Sequence, residues 1–247
     1  MDTDMTISGG FNLLIDLANV PAELQQGISA IANNCPQNNI SLRENDEMHE
    51  VEFHWLLRFE KDLGLQQGEC SVMVDPLIDT SADQKRIAIV VKSLGRILGA
   101  SRQIQSLDPE KTHSLLCYTE KCCYENLAVM IDCSRGGVLK QSSVFTLMRY
   151  CALMGINMMQ LYTEDTYEME GETFFGYLRG GYTRQELVNM DDYADALGIE
   201  LVPCIQTLGH LGQVLQWPKF HVYRDTNEVL LSNWDETCNL IEKVNEC

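Results

Sequence analysis

The sequence predicts an α/β protein in which a small mixed α/β domain, residues 1–122, is followed by three βα units over residues 123–247. Three features predict it. A chain of 247 residues with 45% hydrophobic side chains can bury a real core, as one large domain or two modest ones. After Glu125, apolar runs of strand length alternate with segments whose apolar residues recur at helical spacing. Those runs are nearly all apolar rather than alternating, as in a parallel sheet covered by helices.

The chain begins with a polar segment, and the first helix is expected near Val20 to Asn33. Asn19 suits the cap, Pro21 suits the first turn, and Leu24, Ile28 and Ile31 fall on one face. The polar link from Cys35 to Glu50, with Pro36 and several Asn, reads as loop. From Val51 to Phe59, apolar Val51, Phe53, Trp55, Leu57 and Phe59 alternate with other side chains, the period of a half-buried strand. Cys70 to Val74 and Arg86 to Lys92 are two more strand candidates. Leu94, Ile97, Leu98 and Ile104 then give a helix face after Ser93, and Leu115 to Tyr118 gives another strand. Nothing in this first region carries recognisable chemistry.

The three units that follow are more regular. Leu127 to Ile131 is an apolar strand ending in Asp132-Cys133-Ser134-Arg135, and a helix from about Ser142 to Met154 carries Val144, Leu147, Met148 and Cys151 on one side before Gly155 ends it. The second strand, Asn157 to Thr163, runs into an acidic stretch; Thr183 and Glu186 then form a capping-box pattern, and that helix stops at Gly198. The third strand, Ile199 to Gln206, ends in Thr207-Leu208-Gly209-His210.

Charge and cysteine usage narrow the partners. A net charge of -18 and a pI near 4.5 repel phosphate backbones and anionic surfaces, and no local basic patch offsets them, so neither nucleic acid nor a membrane is an expected partner. No apolar run reaches the roughly 18 residues of a membrane span, and MDTDMT carries acids where a secretion signal carries bases, which predicts a cytoplasmic protein. The ten cysteines are expected to remain reduced thiols in such a chain. Cys122 and Cys123 are adjacent and cannot converge on one ion without a special turn; with no CxxC, no HExxH and no metal-like histidine spacing, no metal or cofactor is expected.

The stretch LYTEDTYEMEGETFFGYLRGGY, Leu161 to Tyr182, turns abruptly from apolar residues to carboxylates, aromatics and glycines, as a buried strand does when it opens into a functional loop. Glu164 and Asp165 sit at the change, with Glu168 and Glu170 close behind. In an acidic protein a solvated acidic loop is the ordinary explanation. Its neighbours favour a site, because parallel strands put their carboxyl ends on one side, and Asp132, Arg135, Glu164, Asp165 and His210 would then share a rim. A lone histidine after a strand is more often a structural hydrogen-bonder, but beside an acid pair a catalytic role has equal standing. Asp132 and Arg135 read equally as a structural ion pair or as part of the site.

VMIDCSR at Val129 to Arg135, LYTEDTYEMEGETFFGYLRGGYT at Leu161 to Thr183, and LGIELVPCIQTLGHLGQVLQWPKF at Leu197 to Phe220 resemble, in order and at suitable spacing, the start of the catalytic domain of family 20 glycoside hydrolases. The likeness is greatest to the bacterial exo-β-N-acetylglucosaminidases. It extends from Glu125 to the C-terminus, and before residue 120 it amounts to the small α/β domain such enzymes often carry in front. It implies a (β/α)8 TIM barrel, here incomplete, since a closed barrel needs roughly eight strands. It also implies removal of terminal N-acetylglucosamine or N-acetylgalactosamine by retaining, substrate-assisted hydrolysis, in which the sugar's own 2-acetamido oxygen attacks the anomeric carbon.

The resemblance assigns roles residue by residue. Asp165 matches the family aspartate after the second strand and His210 the histidine after the third, which together form a hydrogen-bonded relay that steadies the catalytic acid. Asp132 and Arg135 match the first-strand motif and would orient the rim or contact sugar hydroxyls, as would Glu164. The chain departs from the pattern at Leu127, where many hexosaminidases have a sugar-binding arginine, and at Gly136, where relatives commonly have Asn or His. In the family an Asp orients the acetamide and the next residue, a Glu, protonates the leaving oxygen, within a motif His-x-Gly-x-Asp-Glu that this sequence lacks. Asp235-Glu236 is no substitute, because no apolar strand or glycine precedes it and Asn233 to Lys243 reads as a helix. The expectation is the N-terminal part of a hexosaminidase, inactive alone and completed by the remainder of the barrel. Two other functions fit the same residues: a noncatalytic remnant that binds sugars or a protein, and a different glycosidase using Glu164 or Asp165 with another rim acid.

Overall fold

The computed structural model describes residues 13–16, 20, 22–35, 40–43, 55–58, 69–75, 86–88, 116–121, 124, 126–232 and 234–245. The chain divides into two compact units, one made of Met1–Leu127, Arg149–Asn157 and Ala196–Gly198, the other of Ala128–Met148, Met158–Asp195 and Ile199–Cys247.

Among the described residues, the first unit holds helix α1 (Ala22–Asn34) and six strands, β1 (Leu13–Asp16), β2 (Ile40–Arg43), β3 (Trp55–Arg58), β4 (Glu69–Asp75), β5 (Arg86–Ala88) and β6 (Leu116–Lys121). They form a mixed sheet in the order β2-β1-β3-β5-β4-β6, parallel from β2 to β5, with β4 antiparallel to both β5 and β6. Ile28 and Ile31 of α1 are buried as their spacing predicts, and Gln25 Nε2 donates to the Val20 carbonyl at 3.1 Å beside the helix start. Two strands correct the sequence reading. β1 lies in what reads as a polar opening, and β2 lies inside the presumed Cys35 to Glu50 loop. Each has only four residues, too few to show a period, and pairing with each other supplies what local composition does not. The helix expected around Leu94 to Ile104 lies outside the described residues, as do the ends of the strands expected at Val51 to Phe59 and Arg86 to Lys92.

The second unit is built on a parallel sheet of β7 (Ala128–Asp132), β8 (Met158–Thr163) and β9 (Glu200–Ile205), in that order. The register sets Asp132 beside Tyr162 and Tyr162 beside Cys204, so the carboxyl ends of all three strands stand level. Helix α2 (Gln141–Leu153) joins β7 to β8, and α3 (Arg184–Ala196) joins β8 to β9. Val144, Met148 and Cys151 form the buried stripe of α2, while Phe145 stacks 4.3 Å from Tyr193 of α3. The capping box is realised: Glu186 N donates to Thr183 Oγ1 at 3.1 Å, and Thr183 N donates to Glu186 Oε2 at 2.9 Å. Gly155 and Gly198, with φ of 79° and 69°, take the left-handed conformation just after α2 and α3.

The sheet is less evenly covered than its apolar runs suggest. Met159, Leu161 and Thr163 alternate with half-buried residues along β8, and on the other face of β7 Met130 is 57% exposed. Beyond β9 the chain forms a one-turn helix α4 (Gly212–Leu215), a 3-10 turn (Pro218–Tyr223) and helix α5 (Asp235–Asn245). Tyr167, Phe175, Leu211, Leu215, Phe220 and Leu240 unite these elements in one apolar cluster. Asp235 and Glu236 occupy the first turn of α5, where acids favour the helix dipole, as the sequence reading of that segment requires. Among the described residues, no helix is long and apolar enough to cross a membrane.

Candidate functional site

The level strand ends open on a cleft of about 570 Å³. Ser134 and Arg135 reach it from β7, Glu164, Arg179 and Gly180 from the loop after β8, and His210, Gln213 and Glu228 from the segment after β9. All three βα units therefore contribute.

The β7 end is a tight turn around Asp132. Its Oδ1 accepts from Ser134 Oγ at 2.7 Å, Ser134 N at 2.8 Å and Arg135 N at 3.3 Å. These bonds, the Ser134 hydroxyl foremost, hold the Asp132 carboxyl below the usual carboxylate range. The turn aims Arg135 along the rim. Its Nη1 lies 3.7 Å from Asp132 Oδ2, its Nη2 lies 3.5 Å from Glu164 Oε1 and 3.3 Å from His210 Nδ1, and its guanidinium carbon stands 5.5 Å from the Tyr162 ring centre. Asp132 and Arg135 form an ion pair, and the same arginine also contacts Glu164 and His210.

A guanidinium can only donate, so a hydrogen bond across this contact needs Nδ1 of His210 as the acceptor and leaves Nε2 facing away from the arginine. His210 is also one of two non-glycine residues with positive φ among those described, at 60°. Such backbone is uncommon for a side-chain-bearing residue and is often found at functional positions.

The acidic stretch divides between its two readings. Glu168 and Glu170 are solvated, whereas Glu164 and Asp165 are buried. Tyr162 OH donates to Glu164 Oε1 at 3.4 Å. The loop is compact: Glu168 N donates to the Tyr182 carbonyl at 2.9 Å and Tyr182 N to the Thr166 carbonyl at 3.0 Å, closing it into a bridge, while Tyr167 packs edge-on against Phe175 at 5.1 Å. Glu172 forms ion pairs with Lys219 and Lys243, which tie the loop to the 3-10 turn and to α5. Burial opposes charge on Glu172, but the two lysines outweigh it and hold its carboxyl below the ordinary range.

Asp165 is 0% exposed, and its one side-chain partner among the described residues is Arg179, whose Nη1 lies 3.3 Å from Oδ1. Neither carboxylate oxygen has a hydrogen bond of good geometry. Burial pushes the Asp165 carboxyl up against the opposing pull of Arg179, and the neighbouring Glu164 charge adds to the rise. The structure therefore gathers Asp132, Glu164 and His210 around Arg135, and pairs the wholly buried Asp165 with Arg179. Asp165 and His210 are each held by a different arginine rather than by one another.

No family model matches the chain, and no curated protein sequence matches it. Its fold does have relatives. The exo-β-N-acetylglucosaminidase of Vibrio harveyi, solved in complex with N-acetylglucosamine, aligns with a TM-score of 0.64 at 14% identity, over 95% of this chain and 40% of that one. In fold, the chain resembles the family 20 β-N-acetylhexosaminidases. The N-acetyl-β-hexosaminidase of Streptomyces plicatus, solved with thio-NAglucal, gives a TM-score of 0.64 at 16% identity over 96% of this chain and 52% of that one. The β-N-acetylhexosaminidase of Bacteroides fragilis gives 0.59 at 17% identity over 96% and 49%. The chain thus spans about half the length, or less, of the solved structures it matches.

Sequence reasoning missed Arg179, Gln213 and Glu228. Arg179 sits in FFGYLRGGY, where glycines and aromatics obey no period, and only the placement of an arginine before two glycines at the end of the acidic loop hints at a role. Glu228 lies on a turn closed by Asp225 N and Thr226 N, which both donate to the Val229 carbonyl, and nothing local distinguishes it from other surface acids.

Proposed function

We propose that the cleft is one side of the active site of a β-N-acetylhexosaminidase-type glycoside hydrolase, which removes terminal N-acetylglucosamine or N-acetylgalactosamine by substrate-assisted, retaining hydrolysis. The observation that carries the proposal is the meeting of Arg135, Glu164 and His210 at the carboxyl ends of three parallel strands, within a fold like that of the hexosaminidases. In this scheme the sugar supplies its own nucleophile, so the protein must orient the acetamide, protonate the leaving oxygen and hold the sugar. This chain supplies the holding and supporting groups. His210, with its Nδ1 turned to Arg135, presents Nε2 to the acid of the complete site. Asp132 and Glu164 steady Arg135, which orients the rim. Asp165 supports the rim through Arg179.

The chemistry further needs an adjacent aspartate and glutamate at a strand end, and Asp235 and Glu236 stand instead in the first turn of α5. A glycosidase using Asp165 directly is disfavoured by its complete burial, and one using Glu164 by its engagement with Arg135 and Tyr162. The 247 residues alone therefore bind the sugar without turning it over, because proton transfer typically contributes about 10²–10⁴-fold and orientation more. The test uses the purified chain with an aryl N-acetylglucosaminide and, separately, with N-acetylglucosamine. Expected are no release of nitrophenol and saturable binding in the millimolar range. Turnover would overturn the requirement for a separate acid pair, and absence of binding would overturn the amino-sugar site.

A further inference from the structure

We propose that Arg179 is the sugar-binding arginine of this cleft, donating to the hydroxyls of a neutral terminal pyranose; the assignment rests on the hexosaminidase reading above. The two cleft arginines differ in how much donor capacity they have left. Arg135 is 58% exposed and already faces Asp132, Glu164 and His210. Arg179 is 20% exposed, lines the same cleft, and has Asp165 as its one side-chain partner among the described residues. A guanidinium carries five N–H donors in a rigid fork. With Nη1 turned to Asp165, the remaining donors serve a ligand in the cleft.

Burial makes that donor stationary. Asp165 is wholly enclosed, so the group that anchors Arg179 is held in place by the protein, and the two glycines that follow Arg179 leave little room for side chains. A Cβ on Gly181 would meet Tyr167 N at 3.3 Å, and one on Gly180 would meet Val138 at 3.4 Å. Donors fixed before the ligand arrives lose little freedom on binding it. Charge selects the ligand class. Asp165 already balances Arg179, and Glu164 and Glu228 line the same cleft, so a negatively charged ligand is repelled while a hydroxylated neutral one is accepted.

The test is calorimetric titration of the full 247-residue chain with N-acetylglucosamine and its monodeoxy analogues. Arg179→Lys retains charge opposite Asp165 but loses the fork, and should weaken N-acetylglucosamine binding by about tenfold or more. Removing one particular hydroxyl should cost the parent chain affinity and cost Arg179→Lys none, a coupling that a merely structural arginine would not produce. Arg184→Lys, exposed at the start of α3, serves as the control and should bind as the parent does. Where the single change unfolds the chain, the double variant Arg179→Gln with Asp165→Asn keeps a neutral hydrogen-bonding pair and should show the same loss. Parent-like affinity in the folded variant overturns the assignment of Arg179 and leaves the hexosaminidase reading standing. Failure of the parent itself to bind overturns that reading, and the assignment with it.

Discussion

Arg135 faces two carboxylates and an imidazole, and a hydrogen bond to the imidazole requires an accepting ring nitrogen. Because Nδ1 of His210 accepts from the arginine, nitrogen NMR of the ring should show an unprotonated Nδ1 and a protonated Nε2. Arg135→Gln should release the ring into a mixture of tautomers, whereas an unchanged spectrum would mean that some other group sets the proton. Two acids of the loop after β8 titrate with opposite consequences. Asp165 has its carboxyl raised above the ordinary 3.8, so the folded state holds its proton longer than the unfolded chain, and stability falls as pH rises from that value through the raised one. Glu172 has its carboxyl lowered below 4.5, so its contribution is present above that value and is lost as pH falls through the lowered one. Melting temperature followed across the carboxylate range should become flatter on the acid side in Glu172→Gln and flatter above the ordinary carboxylate value in Asp165→Asn. The reverse assignment of slopes would show that the lysines do not govern Glu172.

Among the described glycines whose surroundings are known, the one with least room for a side chain lies in the loop between β8 and α3. Gly176 has φ of 67°, and a Cβ there would stand 2.3 Å from the Asp165 carbonyl oxygen, backbone that cannot swing aside. Gly176→Ala should destabilise the chain by about 2–3 kcal/mol, read as a lower melting temperature, and should loosen the Asp165–Arg179 pair lying beside it. A melting temperature equal to the parent's would mean that the loop can rebuild around an added methyl. The three βα units and their ends were legible because each apolar run was bounded by real punctuation: Gly155, Gly198 and the Thr183–Glu186 box. Four-residue β1 and β2 were not, since neither length nor composition separates ISLR from a loop until LLID pairs with it. At the site, Arg135, Glu164 and His210 could be placed on one rim by strand direction alone. Which arginine would hold which acid could not, because the Asp165–Arg179 contact depends on how an aperiodic loop folds back on itself.

For the molecule as a whole, a net charge of -18 sets a background against which every local pair must be judged. Self-repulsion of that size destabilises the compact state, and raising ionic strength from about 0.01 M to about 0.15 M shortens the screening length from about 30 Å to about 8 Å. The melting temperature should therefore rise with moderate salt, even as exposed pairs such as Arg135–Asp132 weaken. A falling melting temperature would show that ion pairs outweigh net charge. The backbone of His210 has a different bearing on the whole. Held at φ of 60°, the residue sits where glycine is at ease and a side chain is not. His210→Gly should then raise stability by about 1 kcal/mol while removing the ring from the rim, so that the fold is a little sturdier without its histidine than with it. Selection for thermal robustness alone would then favour glycine at this position over histidine.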